Sequence, residues 1–330
     1  MPIPGVLILT SEEDPHALHV RALLADRGAQ ITIFDPGDYP VKARVELAYT
    51  ARGLARRLLR TQTGTLDLDT LTALWWRRPT PPATHPDLTD PAVADYAARE
   101  CQDLLTDLWE HLPCRKMPAD DSVIRRAGRK PSQLLLAAEL GFAIPETLIA
   151  TEAEAFWEFH ERHDGHVVTK PLGKPWAENL VGGGTIARFC EPVSARDVAY
   201  AAALRFCPVI VQQYVPKRLE LRVTVVGEQV FAAEIHSQVA NRSSLDWRRY
   251  DIETTPHRIH RLPDKVARRC LDMTERLGLL YGAFDLILTP DDQYVFLEVN
   301  PNGQWLWIER LTGLPISQAI CDVLLEGASS

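Results

Sequence analysis

The stretch AFDLILTPDDQYVFLEVNPNG, residues 283–303, places two apolar, strand-like runs on either side of a TPDDQ turn. Residues two apart on a strand project from the same face, so Glu298 and Asn300 point the same way, about 7 Å apart. If the two runs pair as an antiparallel hairpin, Asp285 lies near the same end as Glu298. Two carboxylates and an amide oxygen are hard ligands of the kind that Mg²⁺ takes in proteins. The stretch therefore predicts an antiparallel sheet that carries a magnesium site.

The same pattern also fits an amphipathic hairpin whose acids simply face water. Val295, Leu297 and Val299 already supply one apolar face, whereas Phe296 falls on the face that carries the acids. An aromatic side chain among the acids indicates that they are partly enclosed. We therefore favour the metal site over the solvent-facing hairpin.

Composition limits the class of protein. The chain has 330 residues, enough for two or three packed units, and an ordinary apolar fraction of 46%. Its formal net charge of -8 argues against a nucleic-acid partner. The six cysteines are scattered without a CxxC pair, which argues against a zinc site or disulfide framework and is typical of a reducing cytoplasm. The N-terminal residues enter a strand-like run directly, so we expect neither a signal peptide nor a membrane span.

The order of strand and helix signals divides the chain into three parts. Strand-like runs at 6–10 and 31–35 flank a helical pattern at 15–27, and this β-α-β start predicts a parallel sheet. The pattern changes near residue 125, and strand signals dominate from residue 209 onward. We therefore predict an α/β (α+β) protein with an N-terminal α/β domain, a central domain and a C-terminal antiparallel-sheet domain, at residues 1–127, 128–211 and 212–330.

Basic and glycine-rich segments supply candidate phosphate contacts. Lys130 begins a predicted helix, where backbone N–H groups also attract phosphate, and Lys170 ends the strand-like run HVVTK. The loop that follows contains Gly182, Gly183 and Gly184, which let the backbone approach a ligand closely. Taken alone, each lysine fits an ordinary surface side chain and the glycines fit a mobile surface hairpin.

Glu220 and Arg222 share one face of the strand-like run LELRVTVVG. An acid and an arginine at alternate positions commonly form a cross-strand ion pair. They can also divide the binding of a nucleotide, with the acid on a ribose hydroxyl and the arginine on a phosphate. The residues alone leave both interpretations open.

Several other polar and aromatic residues have two interpretations each. Arg77 and Arg78 follow two tryptophans at a strand end, where they could bind a substrate carboxylate or pair with nearby acids. His236, in EIHSQ, could be a hydrogen-bonded strand histidine or a catalytic base. Trp305 and Trp307 alternate like strand residues, and they could pack in the core or form a wall for a bound peptide.

Taken in order, these segments resemble the ATP-grasp superfamily over residues 125–313. The segments ELRVTVVG, EIHSQ, DWRRYD and EVNPNGQWLWIERLTGLPI resemble the maturases of graspetides, of which the microviridin ligases are the familiar type. WWRRPTPP is similar to theirs as well, and the N-terminal unit resembles their pre-ATP-grasp domain. The resemblance implies an ATP-dependent ligase that activates Asp or Glu side chains of a ribosomally made precursor peptide as acyl phosphates. A Ser, Thr or Lys side chain of the same peptide would then close an ester or amide crosslink.

The resemblance also implies ATP and two Mg²⁺ ions as cofactors, and it implies a role for each candidate residue. Lys170 and Arg222 would be catalytic, and Asp285, Glu298 and Asn300 would hold the metal. The nucleotide would be bound by Lys130, Lys170, Gly182, Gly183, Gly184, Gln212, Gln213, Tyr214, Val215, Glu220, Arg222 and Asn300. The peptide substrate would be contacted by Arg77, Arg78, His236 and Arg248.

The implied partner is a precursor peptide made of a leader and a core, and the implied assembly is a homodimer in the cytoplasm. One alternative is a glutathione-synthetase-like or ribosomal-protein glutamate ligase, which joins free amino acids. The tryptophan-rich continuation after Asn300 disfavours it. A nucleotide-binding protein without catalysis is the other alternative, and the presence of every expected metal and phosphate ligand disfavours that one.

Overall fold

The N-terminal part of the computed structural model is built around a four-stranded parallel sheet of order β2-β1-β6-β7. The structure describes residues 3–173, 176–178, 185–187, 190–236 and 255–326. The predicted β-α-β start and its parallel sheet are confirmed. The elements of this part are β1 (Gly5–Thr10), α1 (Pro15–Asp26), β2 (Gln30–Phe34), β3 (Arg44–Thr50), β4 (Gly53–Thr61), β5 (Gly64–Asp67), β6 (Ala73–Arg78), α2 (Pro91–Glu110), β7 (Arg115–Met117) and α3 (Asp121–Ala127).

Local sequence explains the position of α1. The Asp14 carboxylate accepts hydrogen bonds from the backbone N–H groups of His16 (2.8 Å) and Ala17 (2.9 Å), and Pro15 occupies the first turn, where its missing N–H costs nothing. After the helix, Gly28 takes a φ of +80°, which a residue with a side chain rarely adopts. These signals fix both ends of the helix that connects β1 to β2.

A second, antiparallel sheet of order β3-β4-β5 is attached to the N-terminal unit. Sequence analysis did not identify this meander. The run GLARRLLRT, which forms β4, is largely exposed and carries basic residues, so it lacks the clean apolar alternation of a half-buried strand. It forms a strand because its backbone pairs with β3 and β5, and not because it has a buried apolar face.

The central part contains an antiparallel sheet of order β12-β9-β13-β8. Its small core contains Phe156, Phe159, Val167 and Val211. The helix predicted to begin at Lys130 is present. The elements are α4 (Lys130–Glu139), β8 (Thr147–Ala150), α5 (Ala153–Arg162), β9 (Val167–Lys170), β10 (Trp176–Glu178), β11 (Thr185–Ala187), β12 (Glu191–Pro192), α6 (Ala195–Ala199) and β13 (Val209–Gln213).

The C-terminal part contains a five-stranded antiparallel sheet of order β16-β15-β14-β17-β18. One of its faces packs against α4 and α7, and the other packs against α9 and the N-terminal unit. The predicted fold class is confirmed. The elements are β14 (Leu219–Val226), β15 (Gln229–Ile235), β16 (His257–Ile259), α7 (Asp264–Arg276), β17 (Tyr281–Leu288), β18 (Tyr294–Asn300), α8 (Leu306–Thr312) and α9 (Ile316–Glu326). None of the helices in the described ranges is both long and apolar enough to cross a membrane.

A shift of register between β17 and β18 corrects one expectation about the faces of β18. Asp285 pairs with Glu298 but Leu286 pairs with Phe296, so Leu297 is an extra residue opposite a continuous strand. The bulge puts Phe296 in the same buried cluster as Val299, whereas Leu297 lines a cavity beside Glu298. The prediction that Phe296 shares the acidic face is therefore wrong, because strict alternation does not survive a bulge.

The two tryptophans after the turn correct a second expectation. Trp305 immediately precedes α8 and Trp307 lies within it, so neither belongs to a strand. Trp305 is 1% exposed and its ring lies against those of His16, Trp75 and Tyr281, at centroid distances of 4.4, 5.8 and 5.8 Å. Its indole N–H donates to the Ser317 hydroxyl at 2.9 Å. Trp305 is therefore a core residue that joins the N-terminal and C-terminal units.

We predict that Trp305→Ala lowers the free energy of unfolding by about 3–5 kcal/mol, because it removes a large buried ring and leaves a cavity between two units. Trp157→Ala is the matched control, since Trp157 is 42% exposed, and it should cost roughly 1 kcal/mol. Urea unfolding followed by fluorescence and circular dichroism measures both. Equal losses in the two variants would contradict the assigned role of Trp305.

Candidate active site

A cavity of about 420 Å³ opens between the central and C-terminal sheets. The strands β9 and β13 contribute one wall, β14, β17 and β18 contribute the other, and the start of α4 closes one side. Most of the residues that the sequence singled out meet here. The cavity is lined by Lys130, Lys170, Gln212, Gln213, Tyr214, Val215, Glu220, Asp285, Glu298 and Asn300, among others.

The acidic end of the cavity contains the predicted oxygen ligands. Asp285 and Glu298 are directly paired residues of adjacent strands, and Asn300 lies two residues further along β18. The Asn300 side-chain oxygen accepts a hydrogen bond from the Asn302 backbone N–H at 2.9 Å, which fixes the direction of the amide. Two carboxylates and one amide oxygen at the rim of a cavity with room for water and phosphate fit the chemistry of Mg²⁺.

Arg222 is 3% exposed and lies beside Asp285 rather than among the residues that line the cavity. One guanidinium nitrogen, Nη1, donates to Asp285 Oδ1 at 2.7 Å, and Nη2 donates to the Gln304 carbonyl at 3.1 Å. The guanidinium packs so closely on the turn that a Cβ on Gly303 would lie 2.5 Å from Nη2. Arg222 thus joins the central carboxylate of the site to the turn that follows β18.

The two predicted phosphate lysines approach the cavity from different elements. Lys130 is the first residue of α4, and its ammonium lies 3.4 Å from the Leu172 carbonyl and 3.6 Å from Glu298 Oε2. Lys170 is the last residue of β9 and is half-buried. Both lysines line the cavity that contains the acids, and Lys130 lies beside one of them, an arrangement that suits a polyphosphate with a bound cation.

Lys217 is a cavity residue that sequence analysis missed. Its ammonium donates to Glu220 Oε1 at 2.8 Å, and both side chains are buried. A buried ion pair of this kind is costly to break, because the remaining charge would lose its partner away from water. The signal was present in the segment PKRLE, where the lysine precedes the glutamate by three residues.

The segment from Gln212 to Val215 forms the rim of the cavity at the end of β13. The Gln212 side chain donates to the Thr147 hydroxyl at 2.8 Å. The backbone N–H groups of Gln213 and Tyr214 donate to the carbonyls of residues 146 and 166, both at 2.9 Å. The backbone N–H groups of Gln213 and Tyr214 are therefore already used, and a ligand at this rim would meet the carbonyl oxygens and side chains of these residues instead.

Arg77 does not line this cavity. It is 1% exposed, its Nε lies 3.6 Å from Asp14 Oδ2, and its Nη1 donates to the Asn302 carbonyl at 2.9 Å. Burial lowers the pKa of Arg77 to about 10, and the Asp14 charge opposes that shift. Of the two interpretations of Arg77, pairing with a nearby acid is observed, and contact with a substrate carboxylate stays a prediction. Arg78 is exposed, and its Nη2 lies 3.5 Å from the Asn302 carbonyl.

His236 also lies away from the cavity. Its ring donates to Glu234 Oε2 at 2.9 Å, and the ring of His260 donates to Oε1 of the same carboxylate at 2.7 Å. Glu234 pairs with Leu221, one residue out of phase with Arg222, and therefore projects from the opposite face of the sheet. Burial would raise the pKa of Glu234, but the two histidine hydrogen bonds lower it below its usual value.

Arg248, Gly182, Gly183 and Gly184 lie outside the residues that the structure describes. Their assigned contacts with the peptide and the nucleotide stay predictions.

Two family models match the chain in succession. The MvdD pre-ATP grasp domain matches residues 5–123, and the RimK-like ATP-grasp domain matches residues 183–324. None of the curated proteins compared with the chain matches it.

Solved structures match the chain over almost its whole length. Macrocyclase MdnB from Microcystis aeruginosa MRC is 31% identical, with a TM-score of 0.79 and coverage of 98% of this chain and 99% of that one. Macrocyclase MdnC of the same organism, bound with precursor peptide MdnA, is 28% identical, with a TM-score of 0.86 and coverage of 98% and 100%. A Chryseobacterium gregarium RiPP-associated ATP-grasp ligase, in complex with ADP and a leader and core peptide, is 27% identical, with a TM-score of 0.89 and coverage of 98% and 97%.

The ATP-grasp fold, with lysines and acids lining one cavity, defines the class of protein as an ATP-dependent ligase. Because the likeness to MdnB extends from end to end, the chain belongs to the family of RiPP ATP-grasp macrocyclases.

We predict that Arg222→Lys lowers the free energy of unfolding by about 3 kcal/mol, because one ammonium cannot replace the planar fork that joins Asp285 to the Gln304 carbonyl. Arg218→Lys is the control. Arg218 forms an exposed ion pair with Asp292 at 2.7 Å, and such pairs contribute less than about 1 kcal/mol. Urea unfolding of both variants checks the difference. A loss at Arg222 no larger than that at Arg218 would contradict the assigned anchoring role.

Proposed function

We propose that this enzyme crosslinks a ribosomally made precursor peptide. It would activate Asp or Glu side chains of the core as acyl phosphates and join them to Ser, Thr or Lys side chains, which gives esters or amides. The end-to-end likeness to macrocyclase MdnB carries this proposal. The two relatives in complex with a precursor peptide or with leader and core peptides support a peptide as the partner.

The residues of the cavity suggest how ATP would be held. Lys130 and Lys170 would contact the α- and β-phosphates, and the rim from Gln212 to Val215 would hold the adenine through its carbonyls and side chains. Glu220 would accept hydrogen bonds from the ribose hydroxyls. We add Lys217 to this set, because its hydrogen bond to Glu220 Oε1 orients that carboxylate.

Asp285, Glu298 and Asn300 would hold Mg²⁺, and we propose two ions there. When bound, Mg²⁺ neutralises phosphate charge and favours attack on the γ-phosphate. Lys130 lies 3.6 Å from Glu298 and would place the phosphates beside this carboxylate.

Carboxylate activation requires that negative charge be stabilised as the γ-phosphoryl group moves to the peptide. Lys170 at the cavity wall would stabilise that charge directly. Arg222, held beside Asp285, would contribute to the same end of the cavity through its positive charge. The hydroxyl or amine of the peptide would then attack the acyl phosphate and release inorganic phosphate.

One alternative is ligation of a free amino acid by the RimK-like ATP-grasp domain that matches residues 183–324. The domain boundaries at residues 127 and 211, a homodimer and a cytoplasmic location stay predictions.

Intact-mass spectrometry tests the proposed reaction. We expect a peptide encoded beside this enzyme, with repeated Thr and Asp or Glu residues, to lose one water for each ring when incubated with enzyme, ATP and Mg²⁺. Omission of ATP is the control. Ligation of free glutamate without any loss of water from such a peptide would favour the amino-acid ligase instead.

We predict that Glu298→Gln reduces ATP turnover by about 100-fold or more with the fold intact, because it removes one charge from the metal site. Asp292→Asn makes the same change of charge in the turn of the same hairpin, at an exposed residue outside the cavity. It should retain turnover close to that of the wild type. Coupled measurement of ADP release checks both variants. Full turnover by Glu298→Gln, with circular dichroism unchanged, would reject the metal assignment.

A further inference from the structure

Gln133 is a buried polar residue one turn after Lys130 on α4. It is 2% exposed and lies at the wall of the cavity. Its side-chain nitrogen donates to the carbonyls of Ala127 (2.6 Å) and Val299 (2.7 Å), and its side-chain oxygen accepts from the Val299 N–H at 3.0 Å. The amide thus pairs with both backbone groups of one residue of β18.

Val299 lies on a strand at the edge of the C-terminal sheet. β18 is the outermost strand of its sheet, so one row of its backbone groups faces away from β17. Gln133 satisfies that row at Val299, and the Ala143 carbonyl satisfies it at Phe296 through a bond of 2.8 Å. The segment from α4 to residue 143 therefore takes the place of a further strand along this edge.

Glu298 and Asn300 flank Val299 on the chain. Because neighbouring strand residues project to opposite faces, fixing the Val299 backbone fixes the directions in which both ligand side chains leave the strand. The same helix also carries Lys130, whose ammonium lies 3.6 Å from Glu298. The side-chain amide of Gln133 thus links the helix that carries Lys130, the proposed phosphate contact, to the strand that carries the two proposed metal ligands.

We propose that Gln133 is a positioning residue that holds the oxygen ligands of β18 in a fixed position relative to Lys130. This inference rests on the proposed function, since it takes Glu298 and Asn300 as metal ligands. An edge-satisfying amide without this role would affect stability alone. A positioning residue also changes how strongly the metal strengthens nucleotide binding.

Calorimetric titration with the nonhydrolysable nucleotide AMPPNP, with and without Mg²⁺, separates the two roles. The measured quantity is the ratio of the dissociation constant without Mg²⁺ to that with Mg²⁺. Gln133→Met has a similar length and no amide, and Gln133→Asn keeps the amide but is one methylene too short. Each should reduce the ratio about 10-fold or more, as loss of an outer-shell partner of a metal ligand does.

Thr274→Val is the control variant. The Thr274 hydroxyl is buried and donates to the Cys270 carbonyl at 2.8 Å within α7, away from the cavity. The substitution removes a buried hydrogen bond that involves neither Gln133 nor the backbone of β18, so the ratio should equal that of the wild type. Thermal unfolding gives the stability of all four proteins, so that the ratios are compared at a temperature where each is folded.

The outcomes are distinct. A reduced ratio in a folded Gln133 variant, with the control unchanged, supports the positioning role. A ratio equal to that of the wild type in both Gln133 variants overturns the inference and leaves the proposed function intact. A wild-type ratio of one would overturn the metal assignment itself, and the positioning role with it.

Discussion

The pairing of β17 with β18 is the constraint on which the candidate site depends. It places Asp285 beside Glu298, and the bulge at Leu297 lets this pair face the cavity while Phe296 and Val299 stay in the core. Without the extra residue, an acid and an aromatic ring would compete for one environment. The bulge therefore lets one face of β18 pack in the core while the other face carries the charged site.

Charged side chains beside the cavity are buried as ion pairs, because an isolated charge is costly away from water. Arg222 is joined to Asp285, and Lys217 is joined to Glu220. Each pair comes from the β14 side of the cavity, where β14 is paired with a strand on both sides. These pairs gain little net stability from burial, so their physical benefit lies in fixed direction at a site where phosphate charge must be balanced.

Residue patterns predicted the parts of the structure that short-range signals determine, such as the alternation of apolar and polar residues in a strand or the residues that cap a helix. The parallel sheet at the N-terminus, the C-terminal antiparallel sheet and the closeness of Asp285 to Glu298 all follow from such signals. Lys217 and Gln133 were missed because their roles depend on contacts with other elements, although Gln133 shares a helix face with Lys130. Phe296 was misplaced because a bulge leaves no mark in an apolar run, and the two interpretations of Arg77 stayed open because its burial depends on the packing of two separate units.

The packing of the turn after β18 indicates a structural role for it. Arg77 from the N-terminal sheet donates to the Asn302 carbonyl, and Arg222 from β14 donates to the Gln304 carbonyl. Gly303 fits between these contacts because a Cβ would collide with Arg222 and with Ala283. Trp305, next along the chain, is buried between the same two units. The sequence PNGQW is therefore a structural joint that holds the end of the ligand-bearing strand to the N-terminal unit. A peptide-binding wall at Trp305 is inconsistent with its burial, so a wall of that kind would have to be formed by other residues.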